Sequence, residues 1–101
     1  MRQHARVDQN QKIIIKALRA VGASVQPIHG LGGRYAGGGV PDLLVGWQGN
    51  NFLLEVKDGN KTPSQRKLTQ DEIEWHQAWR GSVHVVETVA DAIRAITGSP
   101  L

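Results

Sequence analysis

Apolar residues at Ile14, Ala17, Leu18 and Val21 recur at i, i+3, i+4 and i+7 and draw one hydrophobic stripe along a helix. Asp8 is placed to cap that helix and Gly22 to stop it, so the pattern predicts a helix over residues 8–21. Residues 23–28 form a short β candidate, and Pro27, which cannot donate to a ladder, assigns it to a sheet edge. Two apolar runs, DLLVGW at 42–47 and NFLLEVK at 51–57, flank Gln48-Gly49-Asn50 and read as a β-hairpin. Residues 58–67, rich in Lys, Gly, Asn, Pro and Ser, read as a loop. Thr69-x-x-Glu72 is a capping-box pattern that opens a helix running to about Trp79, with Gly81 as its stop. Residues 83–86 form a strand, and Thr88-x-x-Asp91 opens a last helix lined by Val89, Ile93 and Ile96 before Gly98. The order αβββαβα belongs to the α/β class, with no internal repeat or linker, and a single domain over 1–101 is expected.

The hairpin places chemistry on one face. Pairing Trp47 with Phe52 across a four-residue loop sets Asp42 opposite Lys57 and Leu44 opposite Glu55. Side chains alternate along a strand, so Asp42, Glu55 and Lys57 share a face while Leu43, Val45, Trp47, Phe52, Leu54 and Val56 fill the other. The second set is entirely apolar and is the expected core. As diagonal neighbours, Asp42 and Glu55 would have Cβ atoms on the order of 7 Å apart, close enough to share one cation. A hard divalent ion such as magnesium suits two carboxylates, and with no cysteine the chain has no thiolate zinc site. Lys57 could orient a water or offset charge developing on a phosphate. An isolated Glu-x-Lys is usually a pair of solvent-facing strand residues. Here the glycines before Pro41-Asp42 and the shared face parity outweigh that reading.

Composition narrows the partner. The formal charge of +3 and the pI near 9.7 favour a polyanion. The absence of cysteine accords with a reducing, cytoplasmic setting, and neither a signal-peptide core nor a membrane-length apolar run is present in the sequence. The glycine loop at 30–39 lacks a nucleotide fingerprint. Gly30-Leu31-Gly32 would need glycine where Tyr35 stands, and Gly37 is followed by Gly38 where a P-loop needs lysine, so no nucleotide cofactor is expected. That loop is either a flexible connection or a segment that closes over DNA, with Arg34 on phosphate and Tyr35 on a base. Lys61, Arg66 and Lys67 adjoin the proposed site and are expected to meet phosphates. His76 reads as a partly buried histidine rather than a ligand, and His4, His29 and His84 form no metal spacing. Trp75 and Trp79 read as core or dimer-interface anchors rather than as stacking residues.

The segments G-G-V-P-D, L-L-E-V-K and W-x-x-x-W-x-G occur here in order, and over residues 8–96 the chain resembles the VRR-NUC branch of the PD-(D/E)xK nuclease superfamily. The resemblance implies a restriction-endonuclease-like core, a mixed β-sheet flanked by helices. It implies a metal-dependent DNA endonuclease using Mg2+ or Mn2+, with Asp42, Glu55 and the Val56 carbonyl as ligands and Lys57 as the catalytic lysine. The acid that family members often add from the first helix corresponds to Gln11, with Asp8 one turn earlier. The later-helix glutamine corresponds to Glu72. Stand-alone relatives are commonly homodimers acting on branched DNA, and a two-fold dimer matches the symmetry of a Holliday junction; a flap is the other branched substrate expected. The competing reading is a non-catalytic DNA-binding module of nuclease descent.

Overall fold

The hairpin closes on two residues. In the computed structural model, which describes residues 9–28 and 38–98, Gln48 (φ 50°) and Gly49 (φ 83°) both occupy the left-handed region that a type I′ turn requires. Strands β2 (Leu43–Trp47) and β3 (Asn50–Val56) therefore pair with Trp47 opposite Asn50 and Leu43 opposite Leu54. This corrects the register expected from the sequence: Leu44 faces Leu53, and one further step sets Asp42 across from Glu55 instead of Lys57. The tighter turn shifts the pairing by two positions, and an even shift preserves which face each side chain takes. Leu43, Val45, Leu54 and Val56 are accordingly buried, with Trp47 and Phe52 packed against them.

Helix α1 (Gln9–Ala20) brings Ile14 and Leu18 to that apolar face. Val21, expected on the same stripe, is instead 45% exposed, because the helix stops at Ala20 and Gly22 (φ 100°) turns the chain away. β1 (Ser24–Pro27) pairs antiparallel with β2 at the sheet edge, where the missing donor of Pro27 is tolerated. Residues 58–67 are not wholly a loop. Thr62 and Gln65 form a reciprocal capping box around a single helical turn, α2 (Pro63–Arg66), with Pro63 in its first turn. Helix α3 (Gln70–Ala78) follows, then β4 (Val83–Val86), parallel to β3, and α4 (Val89–Thr97), which ends at Gly98 in the left-handed conformation.

The sheet order is β1-β2-β3-β4. α1 and α4 pack together on one face, where Ile14, Leu18, Ala92 and Ile96 join the strand residues in a single core. Each large aliphatic buried there contributes about 1.5–3 kcal/mol of hydrophobic stabilisation. The opposite face is treated differently. α3 contributes no buried residue and meets the sheet through polar side chains, Glu72 on Lys57 and His76 beside Glu55. Among the described residues no helix is long and apolar enough to cross a membrane.

Candidate active site

Asp42 lies immediately before β2, and its backbone N–H donates to Leu54 O at 3.1 Å, so the hairpin ladder reaches it. Its carboxylate Oδ2 accepts the Val56 N–H at 2.8 Å. A backbone donor on β3 thus aims the Asp42 carboxyl across the hairpin toward Glu55. Glu55 is only 2% exposed, which no alternation pattern announces, since it sits on the face opposite the apolar core. α3 covers it. Burial, followed by the repulsion of Asp42, pushes the Glu55 carboxyl up to about 9. Burial also raises Asp42, against the lowering effect of its Val56 hydrogen bond. Both shifts favour the protonated form of the pair.

Lys57, on the same face, places Nζ 4.0 Å from Glu55 Oε2 and 2.8 Å from Glu72 Oε1. That Glu72 oxygen also accepts the Thr69 N–H at 2.9 Å while Thr69 Oγ1 accepts the Glu72 N–H at 3.2 Å, the capping box read from the sequence. Burial pushes the Glu72 carboxyl up, but the bonds from Lys57 and Thr69 together with the Lys57 charge outweigh it, and the group is lowered overall. His76, one turn along α3, brings Nε2 to 3.7 Å from Glu55 Oε1, and among the described residues neither atom has a hydrogen-bond partner. Burial lowers His76, so the imidazole favours its neutral form. Its nearness to Glu55 was missed in the sequence, although the i, i+4 spacing from Glu72 carries the signal. Asn10 was also missed: its side-chain amide donates to Lys57 O at 2.8 Å and Glu87 O at 3.0 Å, holding the ends of β3 and β4 side by side.

The glycines before Pro41 have a structural reason. Gly38 and Gly39 take φ of 81° and 83°, and a Cβ on Gly39 would lie 2.3 Å from the Asp71 backbone oxygen. The loop runs directly against the first turn of α3, and only a residue without a side chain lets it pass.

Other expected site residues are dispersed. Gln11 is buried on the α1 stripe with Ile14 and Leu18, and among the described residues no hydrogen bond ties it to Asp42 or Glu55. Arg66 turns to Glu87, with Nη1 3.3 Å from Oε1, while Lys61 and Lys67 are exposed. Asp8, Arg34 and Tyr35 lie outside the described residues. Trp75 is half-buried and Trp79 is exposed, so neither anchors the core. No group of three or more His, Asp or Glu has metal-holding geometry among the described residues.

An antiparallel hairpin that sets two acids across from each other, with a lysine two residues beyond the second, defines the PD-(D/E)xK class. A solved structure described as a VRR_NUC domain matches this chain with a TM-score of 0.62 at 28% identity, over 87% of this chain and 90% of that one. The likeness supports assignment of the chain as a VRR-NUC domain on a restriction-endonuclease-like core, and with it a nuclease-related function. No family model matches the sequence, and no curated protein does.

Proposed function

We propose that this domain hydrolyses DNA phosphodiester bonds with the help of a divalent cation, Mg2+ or Mn2+. The observation that carries the reading is the buried Asp42–Glu55 pair with Lys57 beside it. A carboxyl group buried to 2% exposure, with Oε1 lacking a hydrogen-bond partner among the described residues, is costly to the fold and has no packing purpose. The all-oxygen donor set of Asp42, Glu55 and the Val56 carbonyl suits a hard cation that keeps several waters. These three would hold it, and when bound it supplies Lewis-acid polarisation of the phosphate and a more acidic water.

The protein's own groups do the rest. The Val56 N–H fixes the Asp42 carboxyl, Glu72 fixes the Lys57 ammonium, and that ammonium offsets negative charge developing on the phosphate oxygens. The neutral imidazole of His76 borders Glu55 without adding positive charge.

The VRR_NUC likeness and the basic balance of the chain support DNA as the substrate. A domain this small offers one site, whereas a four-way junction presents two strands related by approximate two-fold symmetry. A homodimer selective for a Holliday junction or flap follows from that match. Supercoiled, linear and junction DNA incubated with the protein, with and without Mg2+ or Mn2+, tests the reading. Cation-dependent cleavage that disappears in Asp42→Ala is expected; cleavage unaffected by that substitution would remove the site. Light scattering beside matched junction and linear substrates tests the dimer, which a strict monomer with equal rates on both would sink.

A further inference from the structure

We propose that Trp79, backed by Trp75, is a stacking platform for an unpaired nucleobase adjoining the phosphodiester site, an inference that rests on the nuclease reading above. The two indoles lie with centroids 4.7 Å apart at an interplanar angle of 17°. Trp79 is nevertheless 45% exposed. α3 buries none of its residues, so the pair is not explained by the core.

The ring is held in place. Trp79 caps α3 through its backbone N–H, which donates to Trp75 O at 3.0 Å. A Cβ on Gly81 would lie 2.8 Å from the indole Nε1, so glycine there leaves the room this rotamer occupies. An aromatic face fixed before binding loses little side-chain entropy when a base stacks on it.

The platform is also continuous with the site. Trp75 meets His76 edge-on, with ring centroids 6.2 Å apart at 76°, and His76 Nε2 is the group 3.7 Å from Glu55 Oε1. Arg80, exposed and next in the chain, offers a cation to the phosphate of the same nucleotide. The other residues at this helix end, Gln77 and Ala78, are polar or small and exposed. One indole among such neighbours falls short of the apolar area a stable protein interface needs. A π-face beside a cation is what a single-stranded nucleic acid binds, without regard to sequence.

The test uses a Trp47→Phe background, so that emission reports only Trp75 and Trp79, in EDTA to prevent cleavage. An oligothymidylate should quench that emission and bind about tenfold more tightly than an abasic strand of equal length. Trp79→Ala should abolish the difference, Trp79→Phe should retain most of it, and Gly81→Ala, which displaces the ring, should weaken it. Equal affinity for the two strands, or base discrimination that survives Trp79→Ala, overturns the platform. So does a dimer that dissociates in Trp79→Ala, because the ring would then serve a second copy. Plasmid cleavage by the unsubstituted protein is measured in parallel. Cleavage without base discrimination sinks the platform alone, whereas no cleavage and no DNA binding sinks the nuclease reading with it.

Discussion

Lys57 Nζ donates to Glu72 Oε1 at 2.8 Å, and the same oxygen accepts the Thr69 backbone N–H at 2.9 Å. One carboxylate oxygen therefore joins the ammonium of the site to the N-cap of α3. Glu72→Ala removes both contacts. It should lower the cleavage rate about 10- to 100-fold, the scale of a misplaced reacting group, and cost about 0.5–2 kcal/mol as a lost cap. Glu72→Gln keeps an acceptor oxygen and should stay within about tenfold of the parent. Single-turnover kinetics with urea titration checks both; equal rates for Glu72→Ala and parent would free Lys57 from this anchor.

Asp42 and Glu55 should be equally indispensable. Asp42→Asn and Glu55→Gln keep the volume and are expected to reduce cleavage about 10³-fold or more while retaining the fold. Lys57→Ala should remove cleavage yet leave divalent-cation binding largely intact, since its ammonium is not a ligand. Calorimetric titration with Mn2+ distinguishes the roles. Undiminished Mn2+ affinity in Glu55→Gln would take Glu55 out of the cation site.

The raised Glu55 carboxyl gives the stability a pH slope. Glu55 is pushed up to about 9 from an ordinary 4.5 by burial and by Asp42, so between those values the folded state binds the extra proton. Stability then falls as pH rises through that window. Glu72 and His76, both lowered, act in the opposite sense but below about 6.5, which leaves pH 7–9 to Glu55, with Lys57 as the opposing cation. In EDTA the melting temperature should drop by several degrees from pH 7 to 9, at about 4–8 °C per kcal/mol for a domain of this size. Glu55→Gln should flatten the slope. Mn2+ affinity should rise over the same range, because a ligand must lose its proton to bind. A flat melting profile for the parent would contradict the raised Glu55 carboxyl.

The face of the sheet that carries the site was legible because strand alternation survives any even register error. The length of the turn was not, since Gln48 at positive φ is an uncommon conformation that its side chain does not advertise. The capping box at Thr69 and Glu72 was readable as local chemistry. Its second use, as the partner of Lys57, depends on α3 crossing the sheet and has no local signature. The same is true of the burial of Glu55, which α3 imposes. The short helix α2 was hidden in a polar stretch, although Thr62-Pro63-Ser64-Gln65 carries both halves of its cap. Val21 was misplaced because periodicity continues past the residue at which a glycine ends the helix. The need for glycine at Gly39 had no local signature either, since the contact it serves is with the backbone of α3, distant in the chain.

That contact gives a prediction with an internal control. Gly39 and Gly49 both have φ of 83°, yet a Cβ on Gly49 meets nothing within 4 Å, whereas one on Gly39 would stand 2.3 Å from the Asp71 carbonyl oxygen. Alanine at either position incurs the left-handed penalty of about 1–2 kcal/mol. Only at Gly39 must backbone move, and the backbone that moves is the first turn of α3, whose next residue is the anchor Glu72. Gly49→Ala should therefore lose stability while cleaving at the parental rate. Gly39→Ala should lose at least about 2 kcal/mol more, in line with overpacked positions, and its cleavage rate should fall with the displaced Lys57–Glu72 pair. Urea melts and single-turnover rates on the same two variants decide. Equal losses of stability would mean that the loop and α3 do not touch at Gly39, and parental cleavage by Gly39→Ala would mean that the position of α3 does not govern Lys57.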